Sequence, residues 1–299
     1  KSNSQTITHC SWPLRGRPPT DTLHTSAKSS QAGLAEASYR HMRLKDKVVL
    51  VTGSTTGIGE AIARRVVAEG GRVVIRGRDV ERGQAIVNEF PGRATLAVAD
   101  LSDPAAGSQL VDAAIKAFGT LDAGVNNAAS VARNNLHQTD AAFFDRMMAI
   151  NVRAPMLLIK AAYPHLKKTQ GCVLNIGSIN AYTGEKNLLA YSISKGALMT
   201  LSRNLADALC YDQIRVNHFN VGWVLTPNEY QQKIADGLPA DWPEQIESQY
   251  APSGKIMSPE MIAAAAVYWL SDESRPISGS VVELEQYPMI GRNPVKKAD

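Results

Sequence analysis

Short runs of apolar residues alternate with longer amphipathic stretches along most of the chain. The short runs have the length and composition of buried β-strands and are bounded by turn residues. They are Val48–Thr52, Val73–Arg76, Thr95–Ala99, Ala123–Asn126, Cys172–Ile176, Val216–Asn220 and Val281–Leu284. The longer stretches repeat their apolar residues with helical spacing, and they are Ile58–Glu69, Ala105–Ala117, Ala141–Lys168, Tyr191–Leu209 and Pro259–Leu270. Since parallel strands need crossover connections, this alternation predicts an α/β fold: a single doubly wound parallel sheet of about seven strands with helices on both faces.

Residues 1–41 do not follow this pattern. They are rich in Ser, Thr and Pro and show neither strand nor helix periodicity, which is typical of disorder. We therefore expect a disordered extension or leader over residues 1–41 and one folded domain over residues 42–299. A targeting peptide, an expression-derived addition and an upstream extension all remain open for the first segment.

Composition narrows the range of partners. Most of the formal net charge of +4 lies in residues 1–41, so the folded domain is close to neutral and we expect no nucleic-acid partner. No apolar run approaches the roughly 20 residues of a membrane span, so no membrane partner is expected. Cys10, Cys172 and Cys210 have the spacing of neither a disulfide framework nor a metal site. We expect a cytoplasmic protein without a bound metal, and organellar targeting by residues 1–41 stays open.

A glycine-rich turn follows the first predicted strand and opens the first predicted helix. Gly53 allows a tight turn, Gly57 lets the backbone approach a pyrophosphate, and Gly59 lets the helix pack against the strand. The phosphates would meet the free N–H groups at the start of that helix. The residues expected to hold them are Gly53, Ser54, Thr55, Thr56, Gly57, Ile58 and Gly59. The pattern predicts a Rossmann-type dinucleotide-binding domain, and a glycine turn without a ligand is the alternative.

The end of the second predicted strand favours a phosphorylated cofactor. A protein that binds NAD places a carboxylate about 20 residues after the glycines, where it binds the ribose hydroxyls. Gly77 takes that place here, between Arg76 and Arg78. A guanidinium suits a 2′-phosphate, so NADP(H) is favoured, with Arg78 the first candidate and Arg76 the second. NAD(H) remains possible if Asp79 binds the ribose instead.

The spacing of the turn, Thr-Gly-x-x-x-Gly-x-Gly, resembles that of the short-chain dehydrogenase/reductase family, and the resemblance covers about residues 45–285. The catalytic Asn, Ser, Tyr and Lys of that family fall here on Asn151, Ser178, Tyr191 and Lys195. The resemblance implies further cofactor contacts at Asp100, Leu101, Asn127, Tyr191, Lys195, Gly222, Val224 and Thr226. It implies substrate contacts at Ser178, Asn180, Tyr191 and Trp223.

Three Tyr-x-x-x-Lys pairs occur in the chain, and the family pattern separates them. Members carry a serine about 13 residues before the tyrosine, at the end of a strand. Tyr191 has Ser178 at that offset, directly after a predicted strand. The pairs Tyr163–Lys167 and Tyr182–Lys186 have no serine there, so we interpret both as structural.

The resemblance implies proton transfer by Tyr191, as general acid in carbonyl reduction and as base in alcohol oxidation. A free phenol titrates near pH ~10, so the pKa must fall by about 3 to act near neutrality. We expect Lys195, one helical turn away, to lower the pKa of the phenol by roughly that amount. Ser178 would donate to the substrate oxygen, and Asn151 would hold a water that resupplies the proton.

The chain departs from the family pattern in two turns and carries one long insertion. Ala129 stands where the family usually has Gly, which we expect to trim the pocket. Val221 stands where the family has Pro, which we expect to loosen that turn. Residues 226–257, with four prolines and Trp242, are expected to form a substrate lid.

These features predict an NADP(H)-dependent oxidoreductase that interconverts a carbonyl and a secondary alcohol by hydride transfer. The expected partner is a small molecule such as a sugar, a polyol, a 3-oxoacyl thioester or a xenobiotic ketone. A non-catalytic NADP-binding sensor or scaffold is the alternative. By analogy with the family we also expect a homo-oligomer, a tetramer or a dimer, with contacts through Pro259–Leu270 and Val281–Leu284.

Overall fold

The computed structural model describes residues 42–287, so the expectations for residues 1–41 fall outside the described part of the chain. Seven strands form one sheet. They are β1 (Val48–Thr52), β2 (Arg72–Arg76), β3 (Ala94–Ala97), β4 (Ala123–Asn126), β5 (Cys172–Ile176), β6 (Arg215–Val221) and β7 (Val281–Leu284). The strand order is β3-β2-β1-β4-β5-β6-β7, and every neighbouring pair is parallel. The predicted parallel sheet is confirmed.

Helices connect the strands. They are α1 (Gly57–Ala68), α2 (Val80–Glu89), α3 (Ala106–Phe118), α4 (Ala141–Met148), α5 (Ala154–Thr169), α6 (Asn180–Thr183), α7 (Leu189–Ala208), α8 (Pro227–Ala235) and α9 (Pro259–Leu270), with a π-helical turn at Ala149–Arg153 and 3₁₀ turns at Cys210–Asp212 and Asp272–Ser274. None of the helices within residues 42–287 is both long and apolar enough to cross a bilayer.

The two faces of the sheet are covered by different helices because successive residues of a strand point to opposite sides. On β1, Val49 and Val51 pack in a buried cluster with α1 and α9. Val48 and Leu50 pack in a second cluster with α3 and α5. Both clusters are apolar, so the central strands are buried on both faces, as expected for a parallel sheet.

The structure corrects several predicted elements. The third strand ends at Ala97 and not at Ala99, whose carbonyl accepts from the Arg76 side chain instead of from a ladder partner. The predicted helix Ala141–Lys168 is interrupted by the π-helical turn. The apolar pattern does not predict α2 or α8, since α2 buries only Gly83 and Ile86 and α8 buries none of its residues.

The strand order reverses at β1, which pairs with β2 on one side and with β4 on the other. Connections leave a sheet in opposite directions at such a switch point and open a crevice at the carboxyl ends of the strands. The glycine turn follows β1 directly, so it lies at this crevice. The candidate residues after β4, β5 and β6 lie at the same edge of the sheet.

Candidate active site

The glycine turn has the geometry of a phosphate cradle. Gly53 and Gly57 have φ angles of 65° and 57°, a region that disfavours other residues. A Cβ atom on Gly59 would lie 2.2 Å from the Gly53 carbonyl oxygen, so only glycine fits where α1 meets the turn. Thr56 precedes α1 and makes no side-chain capping bond there, which leaves the first N–H groups of the helix for an anion. The residues present therefore fit a dinucleotide pyrophosphate.

Ser54 and Thr55 support this turn from beneath. The Ser54 hydroxyl donates to the Val51 carbonyl at 2.6 Å and accepts from the Arg76 backbone N–H at 2.9 Å. A Cβ atom on Gly77 would lie 2.2 Å from the Thr55 methyl carbon. Both side chains are buried, and Ser54 hydrogen-bonds to both β1 and β2.

The two candidate arginines occupy different environments. Arg76 is buried and donates to the Ala99 carbonyl through Nε at 3.0 Å and through Nη2. Burial is the largest cause that lowers its pKa, to about 10. Arg78 is exposed at the end of β2, and Asp79 accepts from the Arg82 N–H at 2.9 Å as the N-cap of α2. Of the two arginines, Arg78 is therefore the one whose side chain is exposed, and Asp79 already has a structural partner.

Asp100 and Leu101 lie three and four residues beyond the end of β3. The Asp100 carboxylate accepts from the Ser102 N–H at 2.9 Å, and this bond holds its pKa below the ordinary value. Leu101 is 5% exposed and belongs to the core. Asp100 thus closes a turn at the crevice edge, while the side chain of Leu101 packs inward.

Asn127 connects β4 to the glycine turn. Its amide donates to the carbonyls of Thr52 at 3.0 Å and of Gly53 at 3.1 Å. On the other side of the crevice, Thr226 has its methyl carbon 3.2 Å from the position a Gly57 Cβ would take. The Thr226 hydroxyl caps α8 by accepting from a backbone N–H at 3.1 Å. The turn is therefore held between residues that follow β4 and β6.

The structure brings together the predicted serine, tyrosine and lysine. Ser178 follows β5 by two residues, and its hydroxyl accepts from the Asn180 N–H at 3.2 Å. It is one of the groups that influence the pKa of Tyr191. Tyr191 and Lys195 lie on α7. The Lys195 ammonium donates to the Ile176 carbonyl at 2.8 Å and lies 5.5 Å from the Tyr191 ring centroid.

Burial dominates the titration of this group. Burial raises the pKa of Tyr191 to about 12, the Ser178 hydrogen bond opposes the shift, and Glu229 adds to it. Burial also lowers the pKa of Lys195 to about 8. The expectation that Lys195 lowers the pKa of Tyr191 towards 7 is therefore not met in the protein without cofactor. Removing the phenolate from water costs more free energy than the interactions with its neighbours restore. In this state Tyr191 is a proton donor.

Asn151 lies in the π-helical turn, and its side chain holds protein atoms. Its carbonyl oxygen accepts from the Ser130 N–H at 2.7 Å. Its amide donates to the Ser130 carbonyl at 3.0 Å and to the Ser194 hydroxyl at 2.9 Å. Asn151 therefore connects the loop after β4 to α7. Its side-chain oxygen and nitrogen already bind protein atoms, so they do not fit the expected role of holding a water.

The pair Tyr163–Lys167 has a structural role, as predicted from the lack of a serine 13 residues before the tyrosine. The Tyr163 hydroxyl donates to Asp212 at 2.6 Å, and the Lys167 ammonium lies 2.8 Å from the same carboxylate. Tyr182 lies in the short helix α6, next to Ser178.

Sequence reasoning missed a chain of buried polar groups, because its members come from segments far apart along the chain. His218 on β6 contacts the Ser202 hydroxyl through Nδ1 and the Asn220 oxygen through Nε2, both at 2.9 Å. Asn175 donates to Ser202 at 2.8 Å and accepts from Asn126 at 2.8 Å. We call these five residues, Asn126, Asn175, Ser202, His218 and Asn220, the polar seam. The seam links β4, β5 and β6 to α7. The feature of the sequence that could have predicted it is the presence of polar residues within otherwise apolar strands.

Glu285 restrains the turn after β6. Val221 lies in the ladder, paired with Leu284 of β7. Glu285 accepts from the Trp223 N–H at 3.0 Å, and a Cβ atom on Gly222 would lie 1.8 Å from that carboxylate oxygen. The expectation that the missing proline loosens this turn stays a prediction.

Residues 226–257, named the lid below after the role expected of them, contain α8. An aromatic stack joins them to Trp223. Trp223 and Trp242 stack with centroids 5.5 Å apart, and Tyr230 stacks on Trp242 at 6.3 Å. The Trp223 indole N–H donates to Glu229 at 2.9 Å. Val224, which precedes the lid, is 6% exposed and bridges to Met257 at its other end. The predicted substrate residue Trp223 thus joins the lid to the turn after β6.

A glycine cradle at the switch point of a parallel sheet, with a Ser-Tyr-Lys group beside it, defines a dinucleotide-dependent oxidoreductase. The family model described as enoyl-(acyl carrier protein) reductase matches residues 53–285. The chain belongs to the short-chain dehydrogenase/reductase family.

Individual relatives agree with this family. The 2-(S)-hydroxypropyl-CoM dehydrogenase 3 of Xanthobacter autotrophicus is 31% identical over 81% of this chain and 96% of its own length. The NADP-dependent (R)-specific alcohol dehydrogenase of Lentilactobacillus kefiri is 33% identical over 80% of this chain and 94% of its own. The crystal structure of a 3-ketoacyl-(acyl-carrier-protein) reductase from Brucella melitensis, complexed with NADH, superposes with a TM-score of 0.71 at 30% identity and covers 80% of this chain and 97% of that one.

Proposed function

We propose that this protein interconverts a carbonyl and a secondary alcohol with NADP(H), and that Tyr191 transfers the proton. The observation that carries the proposal is the position of the Lys195 ammonium, 5.5 Å from the Tyr191 ring centroid and hydrogen-bonded to the Ile176 carbonyl at the end of β5, two residues before Ser178. When bound, the nicotinamide supplies or accepts the hydride. The substrates that we propose are a sugar or polyol, or a 3-oxoacyl thioester.

Each residue of the group has a distinct task in reduction. Ser178 donates to the substrate oxygen, where negative charge develops as the carbonyl is reduced. Tyr191 gives that oxygen its proton and recovers it in the opposite direction. The Lys195 ammonium stabilises the phenolate that this transfer leaves. Asn151 keeps α7 and the loop after β4 in register with this group.

The experiment is a panel of carbonyl compounds assayed by loss of nicotinamide absorbance with NADPH or NADH. We expect turnover with at least one hydroxylated or 3-oxo substrate, and faster turnover with NADPH. Cofactor binding without turnover of any carbonyl or alcohol, in either direction, would favour the alternative of a sensor or scaffold.

The proposed cofactor preference rests on Arg78, which is exposed two residues after β2, while Asp79 caps α2. Charge-assisted hydrogen bonds contribute about 1.5–3 kcal/mol, so Arg78→Ala should weaken NADPH binding roughly 10–100-fold and leave NADH binding unchanged. Arg82→Ala is the control, since Arg82 is exposed one turn away on α2. Equal affinity of the wild type for both cofactors would contradict the preference.

We also propose a cytoplasmic homo-oligomer. Cys172 and Cys210, the cysteines of the described residues, are both free thiols, which suits a reducing compartment. Met261 on α9 is 60% exposed, whereas Ile262 and Leu270 are buried in the core, so part of the predicted contact face remains available for a partner copy. Cell fractionation and light scattering measure the two properties.

A further inference from the structure

His218 of β6 is a buried titratable residue that the proposed chemistry does not use. Burial lowers its pKa to about 4, so the imidazole is neutral near pH 7 and carries one N–H. Its Nε2 faces the side-chain oxygen of Asn220 at 2.9 Å, and its Nδ1 faces the hydroxyl of Ser202 on α7 at 2.9 Å. Since an amide oxygen only accepts, Nε2 donates to Asn220 and Nδ1 accepts from Ser202. The ring is therefore fixed from two sides.

The Nε2 edge of this imidazole lies against the backbone of Gly177. A Cβ atom on Gly177 would lie 2.0 Å from His218 Nε2 and 2.7 Å from the Asn220 side-chain oxygen. The φ angle of Gly177 is not positive, so its backbone conformation does not require glycine. The imidazole is therefore what excludes a side chain at this position, and the ring and the Gly177 backbone are in direct contact.

Gly177 lies between two groups of the proposed active site. On one side, the Ile176 carbonyl accepts from the Lys195 ammonium at 2.8 Å. On the other side, Ser178 carries the hydroxyl that is proposed to meet the substrate oxygen. Because peptide units are planar and rigid, a displacement of Gly177 moves both its neighbours. The contact with the imidazole is thus one residue away from each of these groups.

Two backbone hydrogen bonds hold the same segment to β6. The Gly177 N–H donates to the Phe219 carbonyl at 2.6 Å, and the Ile179 N–H donates to the Val221 carbonyl at 3.1 Å. Both bonds continue the pairing of β5 with β6 beyond the end of β5. They restrain the segment within the plane of the sheet. The side chain of His218 stands out of that plane towards α7, so it restrains the segment in the remaining direction.

We propose that His218 is a positioning residue for the reaction. Its imidazole supports the Gly177 backbone, and through that backbone it sets the positions of Ser178 and Lys195. This inference rests on the proposed carbonyl–alcohol activity and adds a residue to it. His218 acts through Gly177, and proton transfer stays with Tyr191.

The test uses two amides that replace different edges of the imidazole. In His218→Gln, the amide nitrogen takes the place of Nε2 beside Gly177. In His218→Asn, the shorter side chain reaches Ser202 and leaves the space beside Gly177 empty. Since misplacing a reacting group by about 1 Å can cost about 100-fold in rate, we expect kcat to fall roughly 10–100-fold in His218→Asn and less than about threefold in His218→Gln, with KM nearly unchanged in both. Equal kcat values in the two variants would overturn the proposal.

Asn217→Ala is the matched control for lost stability. Asn217 is buried on the same strand, donates to the Ile277 carbonyl at 3.1 Å and accepts from the Ser280 N–H at 3.0 Å. Neither bond involves the segment around Gly177. We expect Asn217→Ala to lower the urea midpoint and to leave kcat close to that of the wild type. A loss of kcat as large as that of His218→Asn would show that destabilisation of β6 is sufficient, and the proposal would fail.

A compensating pair tests the contact itself. Gly177→Ala places a methyl group where the imidazole lies, so this variant should lose both stability and kcat. In Gly177→Ala combined with His218→Asn, the methyl group occupies the vacated space, so part of both losses should be regained. Losses that simply add in the double variant would contradict a contact that couples the two residues.

Amide hydrogen exchange separates this inference from the proposed activity. The exchange of the Gly177 and Ile179 amides is followed by mass spectrometry of the peptide that contains them. We expect faster exchange in His218→Asn and wild-type exchange in His218→Gln and Asn217→Ala. This result supports the positioning of the segment even if the wild type reduces no carbonyl, in which case only the activity fails. Turnover by the wild type, with kcat and exchange both unchanged in His218→Asn, means that the activity stands and the positioning role is refuted.

Discussion

The polar seam and the lid differ in the burial of their polar side chains. In the seam, His218, Ser202 and Asn175 are buried and satisfy one another within residues of β5, β6 and α7. In the lid, most residues of 226–257 are exposed, and charged pairs such as Arg133–Asp236 lie at its surface. The aromatic stack of Trp223, Trp242 and Tyr230 supplies its packing.

This contrast shows where chemistry and specificity reside. A buried, fully paired network is costly to alter, because one lost partner leaves another polar group unsatisfied. An exposed lid tolerates substitution, since solvent replaces a lost partner. The catalytic Tyr191 and Lys195 share α7 with Ser202 of the polar seam, so they lie on the first kind of structure. We therefore expect that the reaction is conserved under mutation of the lid, while the choice of substrate changes.

The largest effect should come from Tyr191→Phe, which breaks the chemistry and leaves both regions folded. A positioned general acid contributes about 10²–10⁴-fold to the rate, so kcat should fall by that factor while cofactor binding stays nearly intact. Tyr163→Phe is the matched control, because Tyr163 belongs to the structural pair with Asp212. A wild-type rate in Tyr191→Phe would refute the role of the phenol.

An intermediate effect concerns the seam and pH. Burial lowers the pKa of His218 to about 4, from an ordinary value of 6.5. Below pH 6.5 the imidazole of His218 is protonated in the unfolded chain, whereas in the folded protein it stays neutral down to about pH 4. The free energy of unfolding therefore falls between pH 6.5 and pH 4, by up to about 3 kcal/mol. Above pH 6.5 the imidazole is neutral in both the folded and the unfolded state, so His218 adds no pH dependence to the free energy of unfolding in that range.

The measurement is urea unfolding at pH 7 and at pH 4.5. In His218→Gln, the decline between the two pH values should be smaller than in the wild type, whatever the variant's stability at pH 7. His137→Gln, at an exposed position, should decline like the wild type. Parallel curves for His218→Gln and the wild type would show that the seam does not hold a neutral histidine.

The smallest effect should come from the lid. Trp242 is 3% exposed, and its indole N–H has no partner among the described residues. Trp242→Phe keeps an aromatic ring in the stack and removes a buried donor, so the change in unfolding free energy should be within about 1 kcal/mol. Trp223→Phe removes a paired N–H and should loosen the lid more. Limited proteolysis of residues 226–257 reports the difference, and equal protection of both variants would contradict it.

Much of the fold followed from local patterns. Strands β1, β4 and β5 begin and end where the apolar pattern predicts, because a strand buried on both faces needs a largely apolar run. The edge strand β7 also has its predicted bounds, although it is only partly buried. Helices α2 and α8 escaped prediction, since each buries few side chains. The break in the helix around Asn151 also escaped, because a π-helical turn leaves no mark in the periodicity.

The spacing of residues by itself predicted the parallel sheet and the glycine cradle, and resemblance to the family pointed to Ser178, Tyr191 and Lys195, because turns and helix faces depend on neighbours along the chain. The tertiary structure decided that Arg76 is buried while Arg78 is exposed, that His218 has partners, and that the Tyr163 hydroxyl meets Asp212. Each of these depends on contacts between segments far apart in the sequence, and burial then sets what a charge can do. Local spacing carries neither the contact nor the burial.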